Sequence, residues 1–98
     1  MAAVRLSVRA FGDLERIFEF VAEHDPGRAL QTVQHIREAI MILARHPLIG
    51  RLVENGRREL VISHGRTTYL ALYRWFPRTG AVLVLAVRHS REAGYTGD

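Results

Sequence analysis

The chain has 98 residues, of which 48% are hydrophobic and 24% are charged, with a formal net charge of +4 at pH 7 and no cysteine. This composition excludes disulfides and thiolate metal sites, and the chain contains no run of about twenty apolar residues that would span a membrane. The N-terminus alternates charged and apolar residues, unlike the apolar core of a signal peptide. We therefore expect a single cytoplasmic domain, residues 1–98, with one hydrophobic core and no membrane partner.

All 14 basic side chains are arginines. A guanidinium binds phosphates and carboxylates through a bidentate fork that an ammonium lacks, so an arginine-only surface suits a nucleic acid or an acidic protein. A GC-rich genome would produce the same bias towards Arg, Ala and Gly. Composition alone leaves both explanations open.

The first elements are a strand and a helix. Residues 4–10, VRLSVRA, alternate apolar and polar side chains, which predicts a half-buried strand with Val8 on its inner side. From Phe11 the apolar spacing becomes helical and predicts an amphipathic helix to about His24, with Asp13 and Glu15 near its positive end. Its apolar stripe consists of Leu14, Ile17, Phe18 and Val21.

A second helix should follow at once. Asp25 is suited to cap its N-terminus and Pro26 to occupy its first turn, where a missing amide hydrogen costs nothing. Pro47 predicts that it ends near Arg45 or His46. The apolar stripe of this helix consists of Ala29, Val33, Ile36, Ile40 and Leu43.

Three strands occupy the second half of the chain. They are RELVIS, TTYLALYRWF and AVLVLAV, separated by turn residues at Gly65 and in PRTG. The last of them, residues 81–87, is apolar without alternation, as expected of a strand covered on both faces or paired in the middle of a sheet. The predicted fold is α+β, in the order β-α-α-β-β-β, with a helical hairpin packed on one face of a twisted, mostly antiparallel sheet.

Several segments in this order resemble the RelE/ParE superfamily of bacterial toxins. They are AFGDLERIFEF, LARHPLIGR, RELVI, YLALYRW and VLVLAVRHSREAGY, and together they cover most of the chain. The resemblance implies the toxin of a type II toxin–antitoxin, or plasmid-stabilisation, module that inhibits growth and is neutralised by a cognate antitoxin. It also implies a homodimer or a toxin–antitoxin hetero-oligomer. No cofactor is expected, because the PLIG loop and Gly56 lack the strand-to-helix setting of a phosphate loop.

The superfamily divides by target into DNA gyrase inhibitors and ribosome-dependent nucleases that cut messenger RNA. The nuclease branch carries basic residues in its middle strands, where this chain has the apolar segments ELVIS and YLALY. We therefore expect the ParE-like, gyrase-directed activity, although His64, Arg66 and Arg74 could replace the missing groups from neighbouring turns. An mRNA endoribonuclease and an inert antitoxin-binding member remain the alternatives.

The tail segment RHSREAGY supplies the candidate site residues. For a ribonuclease, His89 would serve as acid or base, Arg88 and Arg91 would stabilise the phosphate, and Tyr95 would stack on a base or pass a proton. For a binding protein, the candidates that contact target or antitoxin are Arg58, Arg66, Arg74, Arg88 and Arg91.

A structural interpretation of the tail is also open. Arg88 and Arg91 would then pair with Glu92, Glu59 or Glu54, and Tyr95 would cover the end of the sheet, so that the tail is a clasp.

No metal site is expected. His24, His35 and His46 recur every 11 residues. On one helix, however, His35 and His46 would lie about 16 Å apart, too far to share an ion.

Overall fold

The computed structural model describes residues 1–95, which form two helices and a five-stranded sheet. The helices are Val8–Ala22 (α1) and Pro26–Ile40 (α2), and the strands are Ala3–Leu6 (β1), Arg51–Leu52 (β2), Arg58–His64 (β3), Thr67–Phe76 (β4) and Ala81–His89 (β5). The spatial order is β1-β5-β4-β3-β2, with β1 parallel to β5 and the other pairs antiparallel. The predicted α+β fold is confirmed, with the short β2 added in the loop before β3.

Helix α1 begins earlier than its apolar spacing predicts. The Ser7 hydroxyl accepts a hydrogen bond from the Ala10 backbone N–H at 3.0 Å and so caps the helix. Val8 is consequently the first helical residue and is 91% exposed. Its assignment to the first strand was wrong, because the serine cap ends the alternation after Leu6.

Helix α2 begins as predicted. The Asp25 carboxylate accepts a hydrogen bond from the Arg28 backbone N–H at 3.1 Å, and Pro26 occupies the first turn. The α-helix ends at Ile40 and continues as a 3₁₀ turn over Met41–Ala44, so the helical run stops close to the predicted boundary. Its stripe is buried at Ala29, Ile36, Ile40 and Leu43.

Both helices pack on one face of the sheet. Strand β5 lies inside the sheet, between β1 and β4, and the buried side chains of its first half alternate at Val82 and Val84. Pairing on both edges therefore explains its apolar sequence better than cover on both faces. The core lies between helices and sheet and includes Leu14, Ile17, Ile36, Ile40, Leu43, Ile62, Tyr73, Val82, Val84 and Val87.

Within residues 1–95, neither α1 nor α2 lies over the opposite side of the sheet, here called the outer face. Glu59, Leu72 and Ala86 form one cross-strand row on this face, and Leu70 and Arg88 belong to the next row. In the described part of the chain, no helix is both long enough and apolar enough to cross a membrane.

Candidate functional site at the C-terminal tail

The tail, residues 90–95, leaves the sheet at a free strand edge. Strand β1 pairs only with Ala81–Val84, so the second half of β5 has no strand beside it on that side. Helix α1 occupies this edge instead. The Asp13 carboxylate accepts a hydrogen bond from the Val87 N–H at 2.8 Å, and the Ser7 hydroxyl donates to the Leu85 carbonyl at 3.0 Å. The second half of β5 is thereby fixed against α1.

Glu92 is the first anchor of the tail. Its carboxylate accepts hydrogen bonds from the Arg16 guanidinium of α1 at 2.5 Å and from the His89 backbone N–H at 3.1 Å. Its backbone carbonyl accepts a hydrogen bond from the Arg88 guanidinium. These interactions converge on one residue and connect the tail to both α1 and β5.

Tyr95 is the second anchor. Its hydroxyl donates to the Glu59 carboxylate of β3 at 2.6 Å, and the Arg88 guanidinium carbon lies 5.0 Å from the centre of its ring. Glu59 is 6% exposed and also accepts hydrogen bonds from the Arg51 guanidinium. Glu59 therefore connects strands β2 and β3 to the end of the tail.

The contact between Tyr95 and Glu59 shifts the pKa values of these two groups in opposite directions. Burial alone would raise the pKa of Glu59, but the hydrogen bonds from Tyr95 and Arg51, together with the charges of Arg51 and Arg88, lower it below its ordinary value of 4.5. Burial and the bond to Glu59 raise the pKa of Tyr95 well above 10.0. At neutral pH an ionised carboxylate thus faces a protonated phenol whose hydrogen is already donated.

His89 lies on the helix-covered side of the sheet. Its Nδ1 atom accepts a hydrogen bond from the Arg91 backbone N–H at 3.0 Å, and its ring packs edge-on against Tyr69 with centroids 5.5 Å apart. His89 and Arg91 border a groove of about 640 Å³ beside α1, and exposed Phe20 forms part of its apolar wall.

The structure therefore divides the four tail candidates into two pairs. Arg88 and Tyr95 meet on the outer face at Glu59, whereas His89 and Arg91 line the groove against α1. The intramolecular contacts of Arg88 and Tyr95 correspond to the clasp interpretation. The partners of Arg88 are carbonyl oxygens and the Tyr95 ring.

The remaining candidate cations are dispersed. The Arg58 guanidinium donates to the carbonyls of Leu48 and Gly50 at 3.2 and 2.9 Å. Arg74 donates to the Asn55 carbonyl at 2.8 Å.

Arg66 is exposed in the β3–β4 turn, eight residues and about 26 Å along the strand from Arg74. His64 stacks on His35 of α2, with ring centroids 4.6 Å apart. The candidates Arg66, Arg74 and His64 thus lie near the two ends of β4 and do not surround Arg88.

Two residues that hold β5 and the tail against α1, Asp13 and Arg16, could not be matched with their partners from the sequence. Asp13 occupies an apolar stripe with Ala10, Leu14 and Ile17, and a carboxylate in such a stripe is a signal for a buried hydrogen bond. Arg16 lies on the border of that stripe and meets Glu92 across 76 residues of sequence, for which no local pattern exists.

His24 and His35 make unrelated contacts. His24 packs edge-on against Phe20, and the His35 Nε2 atom lies 2.7 Å from the Ser63 carbonyl oxygen. Among residues 1–95, no group of three His, Cys, Asp or Glu side chains could hold a metal ion.

Known proteins similar to this chain are toxins. A family model described as the ParE toxin of the type II toxin–antitoxin system parDE matches residues 4–94. Toxin RelE3 of Caulobacter vibrioides is 33% identical over 92 residues, which are 94% of this chain and 98% of that protein. Toxin RelE1 of the same organism is 34% identical over 71 residues, or 72% of this chain and 76% of that protein.

Two solved structures share the fold. One is a chromosomal ParDE toxin–antitoxin system from P. aeruginosa, with a TM-score of 0.78, 25% identity and coverage of 91% of this chain and 96% of that one. The other is the toxin–antitoxin complex RelBE2 from Mycobacterium tuberculosis, with a TM-score of 0.66, 26% identity and coverage of 90% and 96%. Since the family match spans nearly all of the described residues, the chain belongs to the ParE toxin family of type II toxin–antitoxin systems, within the RelE/ParE superfamily that its sequence resembles.

Proposed function

We propose that this protein is a cytoplasmic toxin that inhibits bacterial growth by acting on DNA gyrase and is neutralised by a cognate antitoxin. Membership of the ParE toxin family supports the role of toxin. The observation that carries the preference for gyrase is the division of the four tail groups between two surfaces, because Arg88 and Tyr95 lie on the outer face whereas His89 and Arg91 line the groove beside α1.

Metal-independent RNA cleavage requires an acid or base and a cation at the same phosphate. His89 and Arg91 lie together at the groove on the helix side of β5, but the other two tail groups, Arg88 and Tyr95, lie on the outer face and do not join them. The hydrogen of the Tyr95 hydroxyl is donated to Glu59, which leaves this phenol poorly suited to proton transfer at neutral pH. Between Leu60 and Ile62 of β3, and between Tyr69 and Tyr73 of β4, no basic residue supplies the missing charge.

An antitoxin partner is supported by two structural neighbours, a ParDE toxin–antitoxin system and the toxin–antitoxin complex RelBE2. The chemistry of this chain agrees, because its net charge is +4 and its grooves combine apolar walls with arginines. An acidic amphipathic segment would pair carboxylates with guanidiniums and place apolar side chains in a groove. We expect a toxin–antitoxin hetero-oligomer, with a toxin homodimer as the alternative assembly.

The target is tested with purified protein in two parallel reactions. With gyrase and relaxed plasmid, we expect loss of supercoiling and accumulation of cleaved DNA. With programmed ribosomes, we expect intact message. Cleaved message that disappears in His89→Ala would contradict the proposal and identify the endoribonuclease, and an unchanged gyrase reaction would contradict the choice of target.

Toxicity itself is tested by expression in bacteria. We expect growth arrest that is relieved by co-expression of the neighbouring gene's product, which should also co-purify with the protein. Normal growth together with co-purification would identify an inert antitoxin-binding member. Absence of both effects would contradict every toxin proposal.

A further inference from the structure

Part of the outer face is buried although no helix covers it. Leu70 is 6% exposed, Leu72 is 5% exposed and Ala86 is 1% exposed, while Val61, in the same cross-strand row as Leu70, is 53% exposed. In a sheet with helices on one side only, the side chains on the other side should be exposed to solvent. Something other than a helix therefore covers this apolar strip of Leu70, Leu72 and Ala86.

The tail lies in the position required to cover it. Tyr95 contacts Arg88 on β5 through its ring and Glu59 on β3 through its hydroxyl. Strands β5 and β3 lie on either side of β4, about 10 Å apart. The phenol that joins them must therefore cross β4, where Leu70 and Leu72 lie between the two contacted residues.

Polar contacts hold the tail at two points. Glu92 is fixed to Arg16 and to the His89 backbone, and Tyr95 is fixed to Glu59. Between these points Ala93 and Gly94 are exposed, and Gly94 has φ of 145°, a conformation that glycine adopts far more readily than other residues. The tail therefore crosses the sheet as a short bridge between two anchors.

We propose that residues 90–95 form a strap that closes over the apolar strip and opens when the Tyr95–Glu59 contact breaks. Opening uncovers Leu70, Leu72 and Ala86 and releases the Arg88 guanidinium from the Tyr95 ring. The strap thus switches the outer face between a closed and an open state, and this inference does not depend on the target of the toxin.

The absence of cysteine from the chain allows a direct test. Ala86→Cys places one thiol beneath the strap, and Ala71→Cys places a matched thiol on the helix-covered face of β4, where Ala71 is 0% exposed. The rate of reaction with a soluble disulfide reagent is measured for each thiol with and without Tyr95→Phe, which removes only the hydroxyl that bonds Glu59. We expect at least tenfold faster labelling at position 86 and no change at position 71.

Equal rates at position 86 with and without Tyr95→Phe would overturn the proposal. An equal increase at both positions would also overturn it, because global unfolding would then account for exposure. Trypsin cleavage after exposed Arg91 provides a second measurement that needs no cysteine. Cleavage should be faster in Tyr95→Phe than in the wild type at equal folded fraction, and equal cleavage would count against the strap.

Discussion

At the scale of single residues, Gly50 shows how closely a loop can be packed onto a sheet. Its N–H donates to the Tyr73 hydroxyl at 2.9 Å, and that hydroxyl donates to the Pro47 carbonyl at 2.7 Å. The buried tyrosine therefore fixes the loop that precedes β2. A Cβ atom at position 50 would lie 2.6 Å from the Tyr73 ring and 2.9 Å from the Glu59 carbonyl oxygen.

We expect Gly50→Ala to lower the free energy of unfolding by about 1–3 kcal/mol, as overpacking of a close contact does. Urea denaturation monitored by circular dichroism measures the change. Gly12→Ala is the matched control, because Gly12 lies inside α1 and a Cβ atom there has no neighbour within 4 Å. That substitution should stabilise the protein by about 0.5–1 kcal/mol. An unchanged free energy of unfolding in Gly50→Ala would contradict this prediction, because it would show that Tyr73 moves aside without loss of stability.

At the scale of elements, the interface between α1 and the free edge of β5 depends on Asp13. This carboxylate is 6% exposed and supplies the acceptor for the Val87 N–H, which no strand satisfies on that edge. Burial of an unpaired amide costs more than an ordinary hydrogen bond contributes. Asp13 therefore replaces the missing neighbouring strand at this position.

Asp13→Ala should lower the free energy of unfolding by about 1–3 kcal/mol, since the Val87 N–H would lose its partner. It should also accelerate hydrogen exchange at the Val87 amide. Asp13→Asn keeps an oxygen acceptor and should cost less on both measures. If Asp13→Ala and Asp13→Asn lower the free energy of unfolding equally, the charge of Asp13 stabilises the fold and its hydrogen bond to Val87 does not.

At the scale of the whole molecule, the shifted pKa values limit stability at both ends of the pH range. Burial, followed by the charges of His35 and Arg28, lowers the pKa of His64 below 6.5, and the pKa of Glu59 lies below 4.5. The unfolded chain therefore binds these protons at higher pH than the folded chain, and stability is lost as pH falls below about 6.5. Burial raises the pKa of Tyr69, Tyr73 and Tyr95 above 10.0, so their contribution is present below pH 10.0 and is lost as pH rises above it.

The free energy of unfolding should consequently be nearly constant between about pH 7 and 9 and should decrease on both sides. Urea titrations between pH 5 and 11 measure this profile. His64→Gln should reduce the loss between pH 6.5 and 5, while Tyr95→Phe should reduce the loss above pH 10. A profile that rises on acidification would contradict the assigned directions of the shifts.

The local features of the fold were readable in the sequence because their causes lie within a few residues. Asp25 and Pro26 define the start of α2, and apolar runs bounded by turn residues define β3, β4 and β5. The exception is the start of α1, where Ser7 allows two interpretations and only the observed cap distinguishes them. Strand β2, with two residues, is too short to produce a periodic pattern.

The sequence by itself determined the order of elements, the apolar faces and the chemical groups present in the tail. Only the tertiary structure decided which of those groups meet, because Tyr95 reaches Glu59 across 36 residues, Glu92 reaches Arg16 across 76, and Ser7 reaches Leu85 across 78. Helical and strand periodicity result from local backbone geometry, which carries no information on such distant pairs. Strand alternation places Arg88 and His89 on opposite faces of β5, but only the course of the tail brings Tyr95 to Arg88 and Arg91 to the groove beside α1.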